Sequence, residues 1–197
     1  SRPIIDAAKL SKINILVIIN INFKNTKEEI FGVPVFKDIQ SIKKFNKKDT
    51  GIFISIGDNK VRKKFYLFYK KKGYQFINII HPNSIISSSV KLGESIFINA
   101  GAIINANAIL KNNCIINTGV IIDHETVIDS HTHICPGVVI AGRCKIGKSV
   151  FIGIGSRIID NILISNNVLI AAGSVVIKNI KTNSFVAGVP AIEIKKR

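Results

Sequence analysis

Three of the four histidines in the chain fall within ten residues, His124, His131 and His133, and a carboxylate, Glu125, follows the first of them. A neutral imidazole is a competent general base near neutral pH, and a carboxylate bonded to its other nitrogen fixes the tautomer and raises its basicity. Adjacent residues on a strand face opposite ways, so contact between His124 and Glu125 requires a bend in the chain. The same three imidazoles could instead hold zinc if they converged. Their spacing favours no such site, and no metal is expected. A second candidate lies at Ser55-Ile56-Gly57-Asp58-Asn59, where a strand runs through one glycine into the start of a helix. Such a turn suits a phosphate or ribose, and it is also an ordinary strand-to-helix connection. Cys114, Cys135 and Cys144 form an odd set with no C-x-x-C spacing. Two of them, Cys114 and Cys144, occupy small inward positions and read as core residues, not as redox or metal groups.

The elements that carry the histidines are written as a period of six. From Ile80 to Val176 every sixth residue is Ile, Leu or Val, without an insertion. The residue two before each of these guide positions is small or β-branched in nearly every repeat, as in Ala102, Ala108, Cys114, Val120, Thr126, Thr132, Val138 and Cys144. On a strand these two positions face the same way, so each hexad supplies one large and one small inward side chain on a short strand that ends in a bend. Three sides close a coil, and stacked coils pair backbone to backbone around an aliphatic column. The alternative, a sandwich of amphipathic strands, needs turn clusters every eight to twelve residues. Gly93, Asn99, Asn105, Asn117, Asp123, Asp129, Gly147 and Gly153 follow guide residues, and left-handed backbone is expected there. In this register His124 and His131 sit at bends, His133 points away from the column, and all three are expected to reach solvent or a neighbouring subunit.

Before Ile80 the hexads vanish. Helices are expected over 4–10, 38–45 and 59–72 and strands over 13–19, 51–56 and 75–80, an alternation that argues for a small parallel sheet with helices on its faces. Lys and Arg outnumber Asp and Glu 28 to 12, for a formal charge of +16. The lysines cluster in this N-terminal part, at Lys43, Lys44, Lys47, Lys48, Lys60, Lys63, Lys64, Lys70, Lys71 and Lys72, with no interleaved aromatic stacking motif. A solvated lysine-rich face explains them better than nucleic-acid binding, although phosphorylated small molecules would gain from the field. No apolar run approaches a membrane span and no signal-peptide pattern opens the sequence, so a cytoplasmic protein is expected.

The segments IFISIGDNKVRKKF (52 to 65), INIIHPNSIIS (77 to 87), NTGVIIDHETVID (117 to 129) with His133, and VAGVPA (186 to 191) together resemble the bacterial sugar acetyltransferases, a family that includes sialic acid O-acetyltransferases and UDP-4-amino-sugar N-acetyltransferases of the bacillosamine type. The resemblance implies a mainly β chain. It consists of a small α/β, Rossmann-like nucleotide-sugar domain over 1–80, a left-handed parallel β-helix over 81–178 and a tail over 179–197. It further implies a homotrimer with active sites between subunits, acetyl-CoA as donor and a nucleotide sugar, UDP-linked in the nearest type, as acceptor. Through the resemblance, His124 corresponds to the general base and Glu125 to the carboxylate behind it, with Asn117 lining the same pocket. His133 corresponds to a second histidine near the thioester, which together with a backbone amide is a candidate donor to the oxyanion. Ile154, Ala172 and Gly173 fall where pantetheine would run, and Lys195 where CoA phosphates would lie. Gly57, Asn59 and Arg62 of the ISIG-x-N-x-x-R segment fall on the acceptor side. Family members open with a strand and a Gly-rich turn ending in His, whereas this sequence begins at Ser1-Arg2-Pro3, where that turn would finish. They also carry acidic residues where this chain has Asn20-Ile21-Asn22. N- and O-acetylation both remain open at this level, as does a non-catalytic scaffold.

Overall fold

The computed structural model describes residues 2–20 and 29–196, the side chains of Lys195 and Lys196 excepted. Of the expectations above, those on Ile21, Asn22 and the Lys195 side chain lie outside the described residues. The hexads form two-residue strands, each followed by a four-residue bend, and every strand pairs in parallel with the one eighteen positions away, as in Ile103↔Ile121 and Ile115↔His133. Three ladders result. The first face stacks Ile79–Ile80, Phe97–Ile98, Ile115–Ile116, His133–Ile134, Phe151–Ile152 and Leu169–Ile170. The second runs from Ile85–Ile86 to Val175–Val176, and the third from Lys91–Leu92 to Leu163–Ile164. The guide residues fill the column, with Ile98, Ile116, Ile122, Ile134, Ile152 and Ile170 wholly buried. A C-terminal hairpin, Ser184–Gly188 against Ala191–Lys196, extends the first face.

The small inward positions have a second task. Thr126 Oγ1 donates to the Ala141 carbonyl at 3.0 Å, and Thr132 Oγ1 to Gly147 at 2.9 Å. Cys114 and Cys144 donate their thiols to Asp129 and Ile159 in the same way. Burial pushes the Cys114 thiol up to about 12, so it is an inert core donor.

Left-handed backbone falls three residues after each guide from Leu92 to Ile170, not one. Asn107, Asn113, Glu125, His131, Arg143, Ser149 and Asn161 have φ between 56° and 66°. The residue directly after the guide caps the bend with its side chain instead: Asn99, Asn117, Asp123 and Asp129 each accept from the next backbone N–H, at 2.6 to 2.9 Å. Where glycine stands at that position the reason is space, since a Cβ on Gly153 would lie 2.5 Å from the Ala172 nitrogen of the next coil. The bends between the first and second faces take only glycine at the left-handed position, Gly101, Gly119, Gly137, Gly155 and Gly173.

The N-terminal part is less regular than its alternation suggests. Helix α1 (Arg2–Leu10) and helix α2 (Asn59–Lys71) form as expected, α2 with Asp58 capping the Val61 N–H. The segment after Asp38 is a 3-10 helix, Ile39–Lys44. Strands contract to β1 (Ile18–Ile19), β4 (Gly51–Ile52) and β5 (Gln75–Phe76), and the last two pair in parallel. Strands β2 (Glu29–Ile30) and β3 (Val33–Phe36) make a hairpin that the alternation does not foresee. Its two-residue loop, Phe31-Gly32, has both φ positive, the geometry that matches strand twist, and only Gly32 announces it. Strand β3 pairs antiparallel to β2 and parallel to β1, so this sheet is mixed, not parallel throughout.

This part docks on the first face of the solenoid. Ala7 and Ala8 of α1 are buried against Ile79, Phe97 and Ile115, the outward residues of its first three rungs. Ser11 Oγ donates to the Ile80 carbonyl, and Tyr66 of α2 donates to Glu94.

Candidate active site

His124 stands at a bend between the second and third faces, with nearly half of its side chain exposed. Its Nδ1 is 3.1 Å from Asp123 Oδ1, the same oxygen that accepts the His124 backbone N–H at 2.8 Å. Asp123 is held in turn by Asn105 Nδ2 at 2.9 Å. These bonds, the His124 backbone N–H first, keep the Asp123 carboxyl below its usual range. A carboxylate can only accept, so Nδ1 carries the proton and Nε2 presents a lone pair. The carboxylate at His124 within this chain is therefore Asp123. Glu125, which the resemblance assigns to that role, has φ 58° and an exposed side chain. Aspartate at the capping position was read only as a bend former, and its fixed distance from the next residue's ring is the signal that would have found it.

Room for the ring comes from the coil above. A Cβ on Gly142 would lie 2.4 Å from His124 Cε1, 2.7 Å from Nε2 and 2.9 Å from Nδ1. Glycine at 142 is thus a condition for the observed rotamer. Beside it Arg143 reaches back, with Nη1 3.5 Å from His124 Nε2 and Nε donating to Asn161 Oδ1 at 3.2 Å.

His131 and His133 do not join His124. His131 lies at the bend between the third and first faces, buried under the Tyr66 ring, with Nδ1 2.8 Å from Asn113 Nδ2. Burial above all, then Lys63 and Arg62, lowers its pKa to about 4. His133 does point outward on the first face, but the N-terminal part covers it. Its Nδ1 donates to the Gly57 carbonyl at 3.1 Å, Phe151 packs edge-on against its ring, and burial lowers its pKa to about 4. His124 is the most open of the three to solvent in the single chain: His131 is buried and His133 partly covered, because α2 and the loop before it close over them. Among the described residues no group of three or more His, Cys, Asp or Glu gathers as a metal site.

The remaining candidates divide into two sets. Asn117, Ile154, Ala172 and Gly173 line the glycine-only bends between the first and second faces, where Gly173 N–H donates to the Ile154 carbonyl at 2.8 Å and Ile154, Ala172 and Gly173 are exposed. Gly57, Asn59 and Arg62 form an anchor between the two parts of the chain. Asn59 Nδ2 donates to the Val150 carbonyl at 2.9 Å, and Arg62 is completely buried. Its Nη1 donates to the Ile56 and Gly57 carbonyls, its Nη2 to Asn59 Oδ1 and the His131 carbonyl, and its Nε to the Asn113 carbonyl, all at 2.6 to 3.2 Å. All five N–H groups of the guanidinium are used, so none is left for a substrate phosphate. Sequence spacing found this arginine but could not show which way it turned.

Comparison with known proteins agrees with this architecture. Residues 1–67 match the PglD N-terminal domain. Perosamine N-acetyltransferase from Caulobacter crescentus, solved with CoA and GDP-perosamine, is 28% identical over 98% of this chain and 91% of its own, with a TM-score of 0.92. The acetyltransferase domain of PglB from Neisseria gonorrhoeae has the same fold, with 24% identity, coverage of 98% and 94%, and a TM-score of 0.91. WeeI from Acinetobacter baumannii aligns over 89% of this chain and 84% of its own at 23% identity, with a TM-score of 0.82. A parallel β-helix of hexapeptide repeats bearing a small α/β domain is the fold that this chain shares with these acetyltransferases.

Proposed function

We propose that the chain is an acetyl-CoA-dependent N-acetyltransferase that acts on the 4-amino group of a nucleotide-linked 4-amino-4,6-dideoxy sugar destined for surface glycans. The observation that carries this reading is His124, whose Nδ1 is tied to Asp123 while Nε2 keeps its lone pair at an exposed bend above Gly142. The acceptor nitrogen attacks the thioester carbon as His124 Nε2 takes its proton. The C–N bond forms and the carbonyl electron pair moves to oxygen. Collapse of the tetrahedral species breaks the C–S bond, and the proton passes from His124 to the departing sulfur, giving the amide and the CoA thiol. Attack is direct, and the buried thiols take no part.

The donor track is the glycine edge of Gly101, Gly119, Gly137, Gly155 and Gly173, flanked by Asn117, Ile154 and Ala172 and crossed by Arg157, which donates to the Gly137 and Gly155 carbonyls, where an extended pantetheine arm meets backbone. Within one chain this edge and His124 lie at opposite margins of the second face, whose outward row is Ile85, Ile103, Ile121, Val139, Arg157 and Val175. A homotrimer that buries this row joins one subunit's His124 to another subunit's donor edge, which supports a shared site. The perosamine enzyme holds CoA and a GDP-linked sugar, which supports a nucleotide-sugar acceptor here and leaves the base to be tested. No described helix is long and apolar enough to cross a membrane.

The deciding experiment offers acetyl-CoA with UDP-, GDP- and dTDP-linked 4-amino sugars, and separately with free and CMP-linked sialic acids, and follows thiol release. Release with an amino sugar at rates above hydrolysis is expected. Release with sialic acids alone would replace the reading by O-acetylation, and no release with any acceptor would overturn it.

A further inference from the structure

The Gly57 carbonyl accepts twice, from Arg62 Nη1 at 3.0 Å and from His133 Nδ1 at 3.1 Å, although the first donor comes from α2 and the second from the solenoid. A carbonyl oxygen can only accept. The proton of a neutral His133 is therefore on Nδ1, and Nε2 is left with a lone pair. Burial keeps the ring neutral to about 4. Nε2 itself is buried and has no hydrogen-bond partner among the described residues, a condition that a native interior seldom leaves unanswered.

What fixes the carbonyl is Arg62. The guanidinium holds the two successive carbonyls of Ile56 and Gly57 from below. It is itself fixed by the Asn113 and His131 carbonyls of the solenoid and by Asn59 Oδ1. No carboxylate among the described residues hydrogen-bonds to it, although the Asp58 charge nearby favours its protonated form, and burial lowers the arginine only to about 10, so it stays charged and its field orients the carbonyl dipoles around it. Gly57 is not compelled by its own backbone: φ is not left-handed, and a Cβ there would meet nothing within 4 Å. The direction of its carbonyl therefore rests on the arginine.

We infer that Arg62 is a positioning residue for the donor site: through the Gly57 carbonyl it holds His133 as the Nδ1–H tautomer, so that Nε2 is offered as an acceptor to an amide N–H of the pantetheine arm. This rests on the acetyl-CoA reading for its ligand, while the tautomer and its dependence on Arg62 stand on the chain alone. A ring so held cannot donate to a developing oxyanion, so that task falls to a backbone amide.

The test is long-range 1H–15N correlation of the histidine rings in the full chain, with the four histidines assigned by single substitution. In the wild type His133 is expected to show its proton on Nδ1, and addition of CoA is expected to shift its Nε2 resonance. Arg62→Lys keeps the charge but cannot hold both carbonyls, and is expected to give mixed tautomers at His133. With it the KM for acetyl-CoA should rise about tenfold, the equivalent of one neutral hydrogen bond, and by more than either kcat or the acceptor KM changes. A merely structural arginine would lower the melting temperature and leave tautomer and KM alone. An Nε2–H tautomer in the wild type overturns the inference without any variant. So does an unchanged tautomer in Arg62→Lys, or an Nε2 resonance indifferent to CoA at saturation. If calorimetry shows that CoA does not bind at all, the acetyl-CoA reading fails, and the tautomer in wild type and variant still decides the role of Arg62.

Discussion

The solenoid and the N-terminal part are held by opposite means. In the solenoid each hexad repeats the same backbone bonds and adds one aliphatic to a continuous column, so neighbouring coils are interchangeable as structure and only outward residues distinguish them. In the N-terminal part the strands are mostly two residues long and the sheet pairs are few. Its position depends on particular polar bonds to the first face, made by Ser11, Asn59, Arg62 and Tyr66. The difference teaches where chemistry can change freely. A column secured by repetition tolerates any outward residue, and His124 can stand at a bend without weakening the fold. A domain secured by single contacts ties its functional loop to its anchor.

Substitution of a guide residue should be the costliest change. Ile134→Ala removes a wholly buried side chain from the middle of the column and is expected to cost about 2–5 kcal/mol in chemical denaturation. Ile18→Ala in β1 strikes a half-buried residue and is expected to cost about 1 kcal/mol. Equal losses would end the contrast. Next in size is His124→Ala, expected to lower kcat by about a hundredfold or more with unchanged melting temperature and acetyl-CoA affinity. Full activity would exclude His124 as the base. Gly142→Ala asks whether repetition or chemistry put glycine there. The added methyl overlaps the imidazole, so kcat should fall at least about tenfold with little loss of stability. Asp123→Asn should act in the same direction by removing the negative charge that stabilises the imidazolium, whereas Glu125→Gln, exposed in the isolated chain, separates a role across the subunit interface from none.

Legibility in the sequence followed the same divide. A period of six names the face of every residue, so the column, the outward direction of His133 and the shared edge of Ile154, Ala172 and Gly173 could all be read in advance. The position of the left-handed residue could not, because Asx capping and left-handed φ draw on the same residue types, and only the backbone shows that Asp123 caps while Glu125 bends. The carboxylate behind His124 was missed for that reason. In the N-terminal part, α2 was legible from Asp58 and its apolar face. The hairpin at Phe31-Gly32 was not, since a phenylalanine at positive φ contradicts local preference. No pattern along one chain could report that Arg62 and His133 meet at a single carbonyl, because that contact joins residues 71 apart through the docking of two units.

The docking seam also carries a pH signature. Unfolded, a histidine protonates near 6.5; in the fold His131 and His133 stay neutral to about 4, by burial first. Between those values the unfolded chain binds more protons, so stability should fall as pH drops from about 6.5 to about 4 and be flat, as far as these groups are concerned, above it. Melting temperatures across that range should show the slope, and His131→Gln should reduce it. A slope unchanged in His131→Gln would mean that the seam does not report through this residue.

The smallest effect belongs to the same helix as Arg62. Lys70 pairs with Glu94, but its side chain is half exposed, and Glu94 is held below the usual carboxylate range because its bonds to Lys70 and Tyr66 outweigh the burial that would raise it. Exposed pairs trade Coulomb energy against side-chain entropy and contribute about 0–1 kcal/mol. Lys70→Ala should therefore be nearly silent in denaturation, while Tyr66→Phe, which removes the more buried of the two donors to Glu94, should cost about 1 kcal/mol. If Lys70→Ala proved the more damaging, the N-terminal part would be held by charge at its rim and not by the buried polar contacts beneath, and the contrast with the solenoid would have to be redrawn at that edge.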